Sequence, residues 1–170
     1  MSIESVDKWL CYHCYMNIKK VLSDYNIHQQ VLPYSCGPCT IMNILRMKGD
    51  FSRSEDEMVK ICEAIPGRGT PQPNMLKACK EVGVEVVESK GNASMQDIER
   101  NIDKGLYVIL NYFNAFSGNG HYSFVTDYDD DAIYIADCSL GLLRLRKERL
   151  EKNWYGTADD DVKQWYAAVK

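Results

Sequence analysis

Residues 121–128 and 132–139, HYSFVTDY and AIYIADCS, are two runs of β-branched and aromatic side chains held apart by three aspartates. Strand-forming runs this close together leave room for a tight turn and little else, so they commit the second half of the chain to an antiparallel hairpin. Their neighbours share that character. VEVVES (84–89) and LYVILNYF (106–113) read as strands, the second so continuously apolar that both its faces are expected to be buried. LLRLR (142–146) adds a strand, KERLEKNW (147–154) a short helix, and VKQWYAAV (162–169) contains a last strand.

Ahead of residue 84 the apolar period becomes helical. Trp9, Leu10, Ile18, Val21, Leu22 and Tyr25 predict an amphipathic helix from about Val6 to Tyr25, an N-terminal extension within residues 1–28. A second helix is predicted to begin at Cys36, with Gly37 and Pro38 in its first turn, and to run through TIMNILRM toward Gly49. Ser54 and Glu57 have capping-box spacing for a third helix reaching Ile65. Thr70-Pro71 opens a fourth that Gly83 closes, and Ser94 precedes a fifth over MQDIERNIDKG. Helices first and an antiparallel sheet after define an α+β chain, with residues 29–170 as one compact domain.

A length of 170 residues, 45% of them apolar and 26% charged, suits such a domain. A formal charge of −4 argues against nucleic acid or an anionic membrane surface as partner. No run approaches the roughly 20 apolar residues that span a bilayer, and the first residues lack the pattern of a signal peptide. The expectation is a cytoplasmic protein whose seven cysteines are largely reduced.

The pentapeptide SCGPC (35–39) admits three chemistries. A redox dithiol would use Cys36 and Cys39 at a helix start, but the preceding NIHQQVLPYS is a poor buried strand, and oxidoreductase motifs follow one. A zinc-stabilised binding module would join Cys11 and Cys14 to Cys36 and Cys39, although the first pair lies within a predicted helix and lacks the usual glycine-containing knuckle. A nucleophilic Cys36 needs a base, an orienting group and an oxyanion donor. His121 opens the first hairpin strand and Asp137 ends the second, so both lie near the hairpin's open end as neighbours. Gln30, six residues before Cys36, offers an amide that acts with the Cys36 N–H, with Gln29 a rival on composition alone. Asp137 also suits a turn cap. His13 and His28 read as surface or packing residues, SRSEDEMVKICEAI (52–65) as scaffold, and the acidic run at 127–131 as a solvated turn, because a calcium loop would need glycine at Ala132 and glutamate at Cys138.

Gln30, then YSCGP opening a helix, then GHYSFVTDY and IYIADCS, resembles the papain-like bacteriocin-processing, or double-glycine leader, peptidase family and its stand-alone relatives. The resemblance runs from about Gln30 to Gly156. It implies a papain-like cysteine protease fold in which Cys36 is the nucleophile, His121 the general base, Asp137 the orienting acid and Gln30, selected over Gln29 by the family spacing, the oxyanion donor. Cys138 stands where proline is common, and Cys39 where a small non-thiol residue is frequent. The implied substrate is a peptide or protein with small residues at the cleavage site, processed without metal or organic cofactor. The same fold also hosts isopeptidases and acyl transferases or transpeptidases.

Overall fold

The computed structural model describes residues 27–114, 117–156 and 163–170. The helix expected over residues 6–25, with Cys11, His13 and Cys14, lies outside them. The described residues form five helices and six strands. In chain order these are α1 (Cys36–Met47), α2 (Glu55–Ile61), α3 (Gln72–Glu81), β1 (Val86–Lys90), α4 (Met95–Asp103), β2 (Tyr107–Asn114), β3 (Asn119–Tyr128), β4 (Ala132–Asp137), β5 (Gly141–Arg146), α5 (Lys147–Asn153) and β6 (Tyr166–Val169).

Local chemistry accounts for most boundaries. Ser54 accepts from the Glu57 N–H while the Glu57 carboxylate returns to the Ser54 N–H, and Ser94 makes the same reciprocal pair with Asp97. Helix α2 stops at Ile61, four residues earlier than expected. Glu63 takes a positive φ of 50°, and Ile65, disfavoured from helical geometry by the following Pro66, forms a short bridge with Gly69 instead.

All six strands pair antiparallel, in the order β1-β6-β2-β3-β4-β5. Alternate residues of each strand feed two separate apolar layers. Ile109, Tyr122, Phe124, Ala136 and Cys138 pack under α1, α2 and α3 with Ile41, Ile44 and Met75. Val108, Leu110, Tyr112, Val125, Ile133 and Ile135 pack on the other face with Ile98 of α4, Leu150 of α5 and Trp154 just after α5. The central strand β2 is therefore covered on both faces, as its nearly continuous apolar run, interrupted at Asn111, requires. Among the described residues no helix is long and apolar enough to cross a membrane.

Candidate active site

Helix α1 starts at Cys36 and docks by its first turn on β3, where Thr40 Oγ1 donates to the Tyr122 carbonyl at 3.1 Å. Gly37 lets the same turn pack closely against α3 and the Thr70 ahead of it. A Cβ added there would stand 2.7 Å from Met75 Sδ and 3.0 Å from Thr70 Oγ1. Cys36 is 7% exposed. Burial pushes its pKa up, but a hydrogen bond with His121, the charge of that imidazole and the N–H groups of Tyr122 and Gly37 outweigh burial and bring it below its ordinary value.

The other described cysteines behave oppositely. Burial raises Cys62 and Cys79 to about 12 and Cys138 to about 11, and it raises Cys39 further still. Cys39 sits one turn below Cys36 with no exposed surface, its Sγ 3.8 Å from Ser35 Oγ.

His121 and Asp137 are brought together, though not straight across the hairpin. Phe124 pairs with Ala136, which sets Asp137 level with Ser123, and the residue opposite His121 is Tyr112 of β2. His121 meets Asp137 on the diagonal, Nε2 to Oδ2 at 2.9 Å, with the histidine 6% exposed and the aspartate fully enclosed. The Tyr112 ring stands edge-on to the imidazole at a centroid distance of 5.8 Å. Burial opposes charge on His121, yet bonds to Asp137, Cys138 and Cys36 and the aspartate's charge raise its pKa well above the ordinary value. Burial likewise opposes the Asp137 carboxylate, but His121 and the N–H groups of Ser139 and Leu140 lower it to about 2.

Those N–H groups donate to Asp137 Oδ1 at 2.7 and 2.9 Å, so the aspartate does cap the following turn, while Oδ2 faces the histidine. Tyr112 Oη and Ser123 Oγ each donate to Oδ2 at 2.9 Å. Sequence reasoning missed both. Their identities carry no signal beyond strand-forming character; only the alternation that puts 112, 123 and 137 on one face links them.

Gln30 lies on the irregular segment before α1. Its N–H donates to the Cys138 carbonyl at 2.9 Å, its Nε2 to the Leu32 carbonyl at 2.9 Å, and its Oε1 accepts from Cys138 Sγ at 2.8 Å. Cys138 Sγ also lies 3.8 Å from the Cys36 carbonyl, so one buried thiol touches both residues. Gln29 is exposed.

Two groups of side chains have potential metal-ligating atoms close together among the described residues: His28 with Cys39 and Glu55, and His121 with Asp137 and Cys138. Neither includes Cys36. In the first, Glu55 already accepts from the N–H groups of Val31 and Leu32 and from Ser35, and in the second Asp137 is filled as described.

Several solved structures share the fold of this chain. The peptidase domain of Streptococcus ComA, a bifunctional ABC transporter, superposes with a TM-score of 0.67 at 20% identity over 83% of this chain and 93% of that one. A C39-like peptidase from Bacillus anthracis gives 0.68 at 16% identity over 88% and 96%. A double-glycine-motif protease from an AMS/PCAT transporter, solved with a leader peptide, gives 0.60 at 17% over 85% and 89%. An uncharacterised protein of Methanothermobacter marburgensis is 28% identical over 141 residues, 82% of this chain and 90% of that protein. The profile of the Peptidase C39 family matches residues 24–158. With this papain-like arrangement of helices and antiparallel sheet, the chain belongs to the Peptidase C39 family and is a cysteine peptidase.

Proposed function

We propose that the protein cleaves peptide bonds in the manner of a leader-processing peptidase, with Cys36 as nucleophile, His121 as its proton partner, Asp137 as the group that orients the imidazole, and Gln30 as an oxyanion donor. One observation carries the reading: of the five described cysteines, Cys36 alone is held below its ordinary pKa, and it is the one that meets a helix start and a histidine backed by a buried carboxylate.

In this mechanism the thiolate attacks the scissile carbonyl carbon, and the carbonyl oxygen takes up the negative charge. The Cys36 N–H and a hydrogen of the Gln30 carboxamide receive that charge; Nε2 carries two hydrogens, of which the Leu32 carbonyl occupies one. Collapse of the tetrahedral species expels the amine, which leaves with the His121 proton, and a thioester remains on Cys36. Neutral His121 then takes a proton from water as it attacks the thioester, releasing the acid and restoring the thiolate–imidazolium pair. An amine in place of that water would give the acyl-transfer outcome with the same residues. A neighbouring fold solved with a leader peptide favours a peptide substrate, and small residues such as a Gly-Gly pair are the first to try.

The test is a panel of Gly-Gly-containing peptides followed by mass spectrometry, with Cys36→Ala and His121→Ala as controls. Cleavage that both variants abolish supports the reading, and the product mass distinguishes water from an amine as acceptor. Cleavage that survives in either variant refutes it.

A further inference from the structure

We propose that Glu55 is a positioning residue for catalysis, acting through Gln30: its carboxylate holds the segment that presents the oxyanion donor. The inference rests on the oxyanion role proposed for Gln30.

Residues 27–35 form neither helix nor strand, so their backbone N–H groups need partners from elsewhere. Glu55 supplies them for Val31 and Leu32. The Val31 N–H sits 3.0 Å from both carboxylate oxygens, the Leu32 N–H 3.0 Å from Oε1, and His28 Nε2 2.8 Å from Oε2. Ser35 Oγ lies 2.6 Å from Oε1 and 2.8 Å from the Leu32 carbonyl, and its single hydrogen goes to the charged acceptor. One side chain thus ties four residues of this segment, on either side of Gln30 and up to the N-cap of α1.

A carboxylate 9% exposed is costly unless its acceptors are used, and here they are. Burial works against the charge, yet Ser35, Leu32, His28 and Val31 together bring the pKa of Glu55 down to about 2, so it is ionised at neutral pH. Asn43 of α1 secures the start of the segment, accepting from the His28 N–H at 2.7 Å and donating to its carbonyl at 3.0 Å. The Gln30 side chain donates to the carbonyl of Leu32, a residue whose N–H Glu55 grips. Without that grip Val31 and Leu32 are free to swing, and the carboxamide loses the fixed Leu32 carbonyl that aims its Nε2, with only its Oε1 still held by Cys138.

Glu55 does not tune the nucleophile. The groups that set the Cys36 thiol are His121, Tyr122 and Gly37. A loss of Glu55 should therefore leave thiolate reactivity alone and impair only steps that build an oxyanion.

Two reagents separate these effects. Iodoacetamide alkylates Cys36 by displacement at carbon, with no oxyanion. p-Nitrophenyl acetate acylates it through a tetrahedral oxyanion, releasing p-nitrophenolate and leaving an acetyl thioester. In Glu55→Ala, acylation is expected to fall on the order of 10²-fold, the cost of a misplaced donor, while alkylation stays at the wild-type rate. Glu55→Gln restores acylation, because the amide oxygen accepts from Val31, Leu32 and Ser35 and the amide nitrogen donates to His28. In a Gln30→Ala background, Glu55→Ala should cost little more.

Equal loss of acylation and alkylation in Glu55→Ala would reduce the residue to a structural support and overturn the proposal. So would a penalty that multiplies fully with that of Gln30→Ala, or wild-type acylation in Glu55→Ala. If Gln30→Ala itself acylates normally, the oxyanion reading fails, and the proposal built on it falls with it.

Discussion

Tyr112 donates its phenolic hydrogen to Asp137 Oδ2, the same oxygen that faces His121. The tyrosine thereby fixes the carboxylate from the strand on the far side of β3. Tyr112→Phe keeps the packing volume and removes one hydrogen bond to a charged group, a loss of about 1.5–3 kcal/mol. For a domain of this size that corresponds to a fall in Tm of about 3–12 °C, measurable by calorimetry. Ser123 still holds Asp137, so peptide cleavage should fall less than tenfold.

Asp137→Asn leaves the shape of the site but removes the charge that raises His121. The imidazole pKa should drop, visible in an NMR titration of the ring. The thiolate–imidazolium pair then persists over a narrower pH range, and Cys36 alkylation near pH 6 should slow by about tenfold or more. An unchanged His121 titration would show that the carboxylate does not act on it.

Acid should unfold the protein through two carboxylates in particular. Glu55 and Asp137 both titrate near 2 when folded, against ordinary values of roughly 4. A depressed pKa means weaker proton binding in the folded state. Each group thus contributes stability that is fully present above its unfolded value and lost as pH falls toward about 2. Urea midpoints followed by circular dichroism between about pH 5 and pH 2 should drop steeply in the wild type and less steeply in Glu55→Gln.

Gly37→Ala tests the close docking of α1. The added methyl meets Met75, which is wholly buried, and Thr70, so either those side chains or the helix start must shift. Overpacking of this kind costs about 1–3 kcal/mol. Because the Cys36 thiol moves with the helix, alkylation near pH 6 should slow alongside the fall in Tm.

Cys39→Ala distinguishes a nucleophile from a dithiol. The variant loses one buried sulfur and some stability, but Cys36 keeps every group that lowers its pKa. Selective labelling of Cys36 and peptide cleavage should therefore survive. A redox dithiol would lose its activity.

Where local chemistry decides the structure, the sequence was a good guide. The capping serines, the start of α1 at Cys36 and the hairpin around Asp129 to Asp131 all follow from neighbours in the chain. The meeting of His121 and Asp137 was also legible, because a hairpin brings its open ends together, although the diagonal offset was not. Tyr112 and Glu55 were invisible for a different reason. Tyr112 serves the site only because β2 happens to lie beside β3, and Glu55 looks like an ordinary first-turn acid after a capping serine. Its five contacts reach back 20 to 27 residues, to a segment with no periodicity of its own. Cys138 was noticed as a departure from the family, but nothing in the chain indicated that its thiol would lie between Gln30 and Cys36.

The placement of β6 between β1 and β2 bears on how the molecule is made. Among the described residues, 86–90 find their strand partner only in 166–169, so β1 emerges from the ribosome about eighty residues before that partner. The hairpins from β2 to β5 can assemble while synthesis continues, but the outer edge of the sheet must wait for the last strand to be translated. A chain released before Tyr166 would therefore leave β1 unpaired and the flank of β2 open.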